Sequence, residues 1–299
     1  MSIVKYQMLI KTADYASITK AAAALGYTQS ALSRNIIDLE DEWGITIFFR
    51  HKYKVKPTPS GEKLIYIMRQ IVNLNDSLVQ EVSEINGIRS GVVRIGSFES
   101  VAIGWVPKII KRFYENYPLI TFEIHQGDYI DIENLLREDR IDCGFNVAPF
   151  TQGYEFIPLV GDSFMAVLPP DHPMCALEKF PLKSLEEVPF ILAGEGLRYD
   201  VGRMLKKAGV VPNTRLSAEN DLVTMSLVEA GLGVSILPEL VLSNKGSRNI
   251  CVKELDTGFS RTVGIALKSG KSTHPATKMF VEYTKAYVST INDAQFEKI

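Results

Sequence analysis

Gln29, Ser30, Ser33 and Arg34 stand within two turns of one another, in the run T-Q-S-A-L-S-R that opens on Thr28. These side chains carry the donors and acceptors that read base edges: Arg grips guanine and Gln grips adenine in bidentate fashion, while Ser and Thr adapt. Bond-making chemistry has no comparable signature. No G-x-S-x-G, P-loop or H-E-x-x-H occurs, and His51, His125, His172 and His274 show no metal-like grouping. No catalytic residue, metal or cofactor is therefore expected, and recognition is the chemistry to explain.

The elements that must position these residues read as a helical pair. Ile18, Ala21, Ala22 and Leu25 recur at helical spacing, and the alanine run lets a second helix pack closely. Gly26 ends that helix, Thr28 suits an N-cap, and a second helix is predicted over Gln29–Trp43 with an apolar stripe of Ala31, Leu32, Ile36 and Leu39. Its polar N-terminal face suits the major groove. Taken alone, the pair also fits an ordinary helical core. After Gly44, Ile45, Ile47, Phe48 and Phe49 form an apolar plug; Arg50, His51, Lys52, Lys54 and Lys56 then alternate with Tyr53 and Val55. That alternation predicts a short hairpin with its cations on one face, a wing able to touch phosphates. Thr28, Gln29, Ser30, Ser33 and Arg34, with Arg50, Lys52 and Lys54, are thus the candidate DNA-binding set.

The order A-A-x-x-L-G-x-T-Q-S-A-L-S-R, L-E, W-G-I-x-I-F-F-R and T-P-S-G closely resembles the winged helix-turn-helix of LysR-type transcriptional regulators. Ile37, Trp43 and Pro57 depart from the usual family residues. The resemblance implies a multidomain fold: an α-rich winged helix-turn-helix, a long linker helix, and a two-lobed α/β domain resembling type 2 periplasmic binding proteins.

Composition agrees with a globular chain of two or three domains: 299 residues, 46% hydrophobic, 23% charged, net charge -2. Up to Gly61 there are eight Lys or Arg against five acids, so a basic head of about +3 sits on a neutral body. Cys143, Cys175 and Cys251 are far apart in sequence, without metal-ligand or C-x-x-C spacing, and read as buried or incidental thiols. No charged-then-apolar leader and no apolar run of about 20 residues is present, so a cytoplasmic protein without membrane contact is expected.

From Thr58, the residues Leu64, Ile71, Leu78 and Ile85 fall seven apart, with Ile67 or Met68, Leu74 and Val82 between them. This heptad seam predicts a helix about 45 Å long that pairs with a partner copy. Packing on the chain's own C-terminal part is the alternative. The resemblance implies that dimers pair further into tetramers. The expected domains are 1–58 for DNA binding, 59–90 for the linker, and 91–299 for effector binding. By the family plan, lobe I covers 91–161 and 268–299, and lobe II covers 162–267.

Strands alternate with helices from Val92 onward, which predicts mostly parallel sheets with helices between. Strands are expected at Val92–Gly96, Thr121–His125, Ile141–Asn146, Phe164–Leu168, Phe190–Leu192, Val234–Leu237 and Arg261–Leu267. Helices are expected at Ile103–Tyr117, Ile130–Arg137, Asp200–Ala208, Leu222–Ala230 and Pro275–Thr290.

Ligands of such sheets bind beyond the carboxyl ends of strands. Ser97, Phe98, Glu99, Ser100, Asp128, Tyr129, Asn146, Gly194, Glu195 and Asn220 are therefore the candidate effector-binding residues, although Ser100 and Asn220 also fit as helix caps. Glu99, Asp128 and Glu195 around one cleft disfavour a simple anion. They point to an amine or a neutral polar effector, with Arg198 available for a carboxylate. The whole reads as an effector-controlled, sequence-specific transcription regulator that binds an interrupted inverted repeat of double-stranded DNA as a homo-oligomer. A solute-binding protein of a transport system is the alternative for the C-terminal part.

Overall fold

The computed structural model describes residues 2–51, 54–85, 90–268 and 274–296, without the side chains of residues 51, 54, 84, 195–199 and 292–296. The chain falls into two compact units, Met1–Gly91 with Arg137–Arg140, and Val92–Leu136 with Ile141–Ile299.

The first unit contains α1 (Ile3–Tyr15), α2 (Ile18–Leu25), α3 (Gln29–Trp43), the strands β1 (Phe48–His51) and β2 (Lys54–Pro57), and α4 (Pro59–Ile85). Gly26 ends α2 at φ 73°, a left-handed conformation that glycine adopts without a Cβ clash. Leu32, Ile36 and Leu39 of α3 are fully buried against Leu9, Ala21 and Met68 in one core. Burial of each large side chain contributes about 1.5–3 kcal/mol. Helix α1, which the sequence reading did not single out, supplies Met8, Leu9 and Ile10 to that core.

The expected apolar plug is only half buried. Ile47 and Phe48 are enclosed, whereas Ile45 and Phe49 are exposed; within β1, strand geometry turns the neighbours Phe48 and Phe49 to opposite faces. The T-P-S-G run then fixes the start of α4. Thr58 N–H donates to the Ile47 carbonyl (2.9 Å), its hydroxyl donates to the Thr46 carbonyl (2.8 Å), and the same hydroxyl accepts from Gly61 N–H (2.9 Å). Gly61 lies so close to Ile47 that a Cβ there would sit 2.1 Å from its carbonyl oxygen. Of α4, Ile65, Met68 and Val72 enter the core, while Ile67, Ile71, Leu74, Leu78, Val82 and Ile85 form an exposed row.

The second unit runs β3 (Gly91–Ser97), α5 (Glu99–Gly104), α6 (Val106–Tyr114), β4 (Ile120–Gln126), α7 (Tyr129–Arg137), β5 (Cys143–Val147) and β6 (Tyr154–Leu168). It continues through β7 (Phe190–Ala193), α8 (Glu195–Ala208), β8 (Thr214–Ala218), α9 (Asp221–Glu229), β9 (Ser235–Pro238), α10 (Glu239–Leu242), β10 (Cys251–Glu254), β11 (Ser260–Lys268) and α11 (Pro275–Phe296). Two cores result, one around Phe113, Phe145 and Phe280, the other around Phe164, Phe190 and Met225. They define two lobes.

Three expectations change. The helix foreseen over Ile103–Tyr117 is broken at Trp105, because Pro107 has no N–H to donate and starts α6 instead. The sheets are not mostly parallel: β3 pairs with β5 and β7 with β8 in parallel, but β6 pairs antiparallel with β9, β10 and β11, and β11 antiparallel with β5. The return to the first lobe comes earlier than Lys268, since Val263, Ile265 and Leu267 already pack in the first core. Strands β6 and β11 lie side by side from Ser163↔Ser260 to Tyr154↔Lys268 and are shared by both lobes, with a register shift between Val263 and Gly264. Among the described residues, no helix is long and apolar enough to cross a membrane.

Candidate functional site

On the first unit, Gln29, Ser30 and Arg34 are exposed at the N-terminal end of α3, and Ser33 is half-buried. Thr28 caps that end: its hydroxyl accepts from Ala31 N–H at 3.2 Å and lies 3.2 Å from Ser30 Oγ. The cap holds the first turn in helical form while leaving the Gln29, Ser30 and Arg34 side chains in solvent. Such a face can donate to and accept from base edges.

Arg50 is placed differently from its expectation. Strand register puts it on the face of Phe48 and Val55, opposite that of Phe49 and Lys56, so the wing cations do not share one face. Arg50 Nη2 donates to Glu40 Oε2 at 2.7 Å, and Glu40 Oε1 accepts from Ile47 and Phe48 N–H groups. Its charge is thereby committed to joining α3 to the wing. Lys56 is exposed. Lys52 lies outside the described residues, as does the side chain of Lys54.

On the second unit, a cavity of about 510 Å³ is lined from the first lobe by Phe98, Glu99, Ser100 and Tyr129, and from the second by Gly194 and Asp221. Arg261, at the start of β11, forms part of its wall. Register places Arg261 opposite Asp162 of β6, and its Nε and Nη2 donate to Asp162 Oδ2 at 2.9 and 2.7 Å. A further hydrogen bond runs from Nη1 to the Tyr129 hydroxyl. The guanidinium stacks over Phe98, 5.2 Å from the ring centroid. Burial pulls the Arg261 pKa down, but neighbouring Tyr129, Asp162 and Asp200 outweigh it, so the charge is secure. Burial raises the Tyr129 phenol.

Two amide side chains join the lobes at this cleft. Asn220 Nδ2 donates to Glu99 Oε2 at 3.1 Å, and Asn244 Nδ2 donates to the Ser100 carbonyl at 3.1 Å. Glu99 and Asp221 stand in the first turns of α5 and α9, where helix dipoles favour negative charge. Burial, and next the charge of Glu99, push the Asp221 carboxyl up to about 6, against the pull of Arg261.

Of the expected effector-binding residues, Phe98, Glu99, Ser100, Asp128, Tyr129 and Gly194 line the cavity. Asp128 does so while closing a reciprocal cap with Asp131: each carboxylate accepts the other's backbone N–H, at 2.7 and 3.1 Å. Three residues serve the wall from behind or beside it. Ser97 is fully buried and donates to the Phe98 carbonyl. Asn146 is buried, donates to the Tyr129 carbonyl and accepts from Val147 N–H. Asn220 caps α9 through Leu222 and Val223 N–H groups and reaches Glu99 with its amide. The side chains of Glu195 and Arg198 lie outside the described residues.

Sequence reasoning missed Arg261, Asp221 and Asp162. A lone charge at the start or middle of an otherwise apolar strand was the available signal for Arg261 and Asp162. Distance in sequence was also misleading for the cysteines: burial and, next, the neighbouring Cys251 thiol push Cys175 up to about 11. Among the described residues, no group of three or more His, Cys, Asp or Glu could hold a metal ion.

Residues 86–289 match the family described as LysR substrate binding domain, and residues 3–62 match the bacterial regulatory helix-turn-helix protein, lysR family. The chain is 28% identical to the uncharacterized HTH-type transcriptional regulator YvbU of Bacillus subtilis, over 95% of this chain and 98% of that one. It is also 28% identical to the HTH-type transcriptional regulator MetR of Escherichia coli, over 89% and 84% of the two chains. Among solved structures, a full-length OxyR variant from Pseudomonas aeruginosa matches with a TM-score of 0.72 at 23% identity, covering 95% of this chain and 98% of that one.

Proposed function

Because the chain belongs to the LysR family of bacterial regulatory helix-turn-helix proteins, we propose that it binds an interrupted inverted repeat as a dimer joined through α4. It is a sequence-specific DNA-binding transcriptional regulator controlled by a small-molecule effector in the cleft between its lobes. The observation that carries the finer reading is the division of α3: Leu32, Ile36 and Leu39 are buried completely, and Gln29, Ser30 and Arg34 are left exposed.

In this reading Arg34 and Gln29 discriminate bases, each worth about 1–3 kcal/mol. Lys56, with Lys52 and Lys54, meets phosphates and makes affinity fall with salt. Arg50 acts one step back, by fixing the wing against α3. The exposed row from Ile67 to Ile85 on α4 supports pairing of two copies, since six apolar side chains on one face have a strong tendency to leave water. Pairing of dimers into tetramers, a cytoplasmic location and the domain limits at 58 and 90 belong to the same proposal. Function in this reading is binding, without catalysis.

Gel shifts with the DNA flanking the protein's own gene, at two salt concentrations, test it. Wild type is expected to give a specific, salt-sensitive shift. Arg34→Ala should lose discrimination while retaining non-specific binding, and Lys56→Ala should weaken all sequences alike. Leu74→Glu with Leu78→Glu should yield a monomer in sedimentation. A monomeric wild type, or an Arg34→Ala protein with unchanged sequence preference, overturns the reading.

A further inference from the structure

Charge in the cleft is unevenly neutralised. Arg261 is already held by Asp162 and Tyr129, with Asp200 adding to the negative field around it, so it is not free to receive an anion. Asp128 and Asp131 are occupied with each other's backbone N–H groups. That leaves three carboxylates on the wall of the same cavity: Glu99 from one lobe and, from the other, the half-buried Asp221 and the solvent-exposed Glu219. Among the described residues none of the three is ion-paired, and Glu99 and Asp221 are the two withdrawn from solvent screening; Glu99 accepts from the neutral amide of Asn220.

A separate observation points to a ligand at the same place. Ser100 lines the cavity, is 4% exposed, and its Oγ has no hydrogen-bond partner among the described residues. A buried hydroxyl without a partner loses its hydration with nothing in return. The residue that carries it lines a space large enough for a small ligand, next to Glu99 in the chain, so a rotation about its Cα–Cβ bond offers the hydroxyl to that space. A ligand that restores both deficits needs a positive charge and, nearby, a polar atom.

We propose that the effector carries a protonated amine that lodges between Glu99 and Asp221, together with a hydroxyl or carbonyl that meets Ser100 Oγ. The ammonium donates to one carboxylate from each lobe and so ties the lobes together across the cleft, parallel to the Asn220–Glu99 bond. A simple carboxylate effector would instead add one more negative group to a wall that is already acidic. This assignment rests on the regulator reading and narrows its effector to hydroxylated or amidated amines.

Thermal-shift and calorimetric titrations of the full chain with matched sets of one skeleton in three charge states test it: glucosamine, glucose and glucuronate, and ethanolamine, ethylene glycol and glycolate. Amines should bind at least tenfold more tightly than the acids of the same skeleton. Glu99→Gln and Asp221→Asn should each reduce amine binding at least fivefold. Ser100→Ala, which retains both charges, should weaken the amines while preserving the charge ranking, and it keeps the test open if either charge variant fails to fold. Acids binding as well as amines, amine binding that survives both charge substitutions, or no amine binding at all overturns the proposal. The gel shift runs in parallel: specific DNA binding without amine binding refutes the amine assignment alone, whereas loss of specific DNA binding refutes the regulator reading beneath it.

Discussion

Replacing Gly61 by alanine sets two familiar effects against each other. Alanine favours helix over glycine by about 1 kcal/mol. At this position, however, the new Cβ would stand 2.1 Å from the Ile47 carbonyl oxygen and 3.0 Å from its carbon. Relaxed carbon–oxygen contacts lie near 3.3 Å, so the first turn of α4 must retreat by roughly 1 Å. That turn is held by three Thr58 hydrogen bonds of 2.8 to 2.9 Å, and retreat stretches the two that reach the Ile47 and Thr46 carbonyls. Overpacking of this kind costs about 1–3 kcal/mol, and the weakened bonds add about 1 kcal/mol more, so the net effect is destabilisation by roughly 1–3 kcal/mol. Gly202 is the control. It lies within α8, and beyond that helix's own backbone no atom of the described residues comes within 4 Å of its would-be Cβ, so the same change there should stabilise by about 0.5–1 kcal/mol. Hydrogen exchange followed by mass spectrometry reads the two units separately. Protection around residues 46–72 should fall in Gly61→Ala, and protection across α8 should rise in Gly202→Ala. Unchanged or greater protection in the first variant would refute the close-approach argument.

Asp162→Ala should cost about 3–5 kcal/mol, because it leaves the Arg261 guanidinium buried without its carboxylate; Arg261→Met in the same chain should recover most of that in urea unfolding, and an additive loss would contradict the pairing. Asp221, pushed up to about 6 from 3.8, binds its proton more tightly in the folded state. Its favourable contribution is complete below pH 3.8 and is lost as pH rises through about 6, a change of at most about 3 kcal/mol. Asp221→Asn should therefore flatten the melting temperature against pH in that window, and an unaltered slope would count against it. Burial and then the Cys251 thiol raise Cys175 to about 11, and burial raises Cys143, so alkylation by iodoacetamide near pH 8 should be slow and should accelerate sharply in urea. Rapid labelling of the folded protein would show that the thiols are not so shielded.

Local patterns were legible in the sequence where one face of an element meets a single core. The α3 stripe, the Gly26 turn and the Thr28 cap are all written within a few residues of each other. Arg50 was misassigned because alternation gives period but not phase: which face of the wing turns inward was decided by Glu40, ten residues away on α3. The long strand β6 was seen only from Phe164 onward, since Pro158 interrupts the strand pattern. Proline is tolerated there because it sits opposite Gly264, where the register shifts. Strands β8 and β10 escaped notice because their residues are mostly exposed or half-buried and carry no apolar signature. Arg261 and Asp221 reach the cleft from positions far from Glu99 in the chain. Only the antiparallel course of β6 and β11 and the capped start of α9 bring them there.

The sharing of β6 and β11 between lobes bears on how the protein responds to a weak signal. Paired backbone continues from one lobe into the other on both sides of a single register shift, so one lobe can turn against the other by twisting a two-stranded ribbon without unpairing it. The pairing is irregular between Val263 and Gly264, where a bulge breaks the even spacing of the ladder and Gly264 is pressed so near the Ile157 carbonyl that a Cβ would lie 2.5 Å from it. Arg261 and Asp162 sit on that same ribbon, one at its edge and one across from it. A torsional spring with an ion pair mounted on it has graded positions rather than two locked ones. Occupants of the cleft that differ only in how far they draw Glu99 toward Asp221 would then set different degrees of twist, giving a dial in place of a latch.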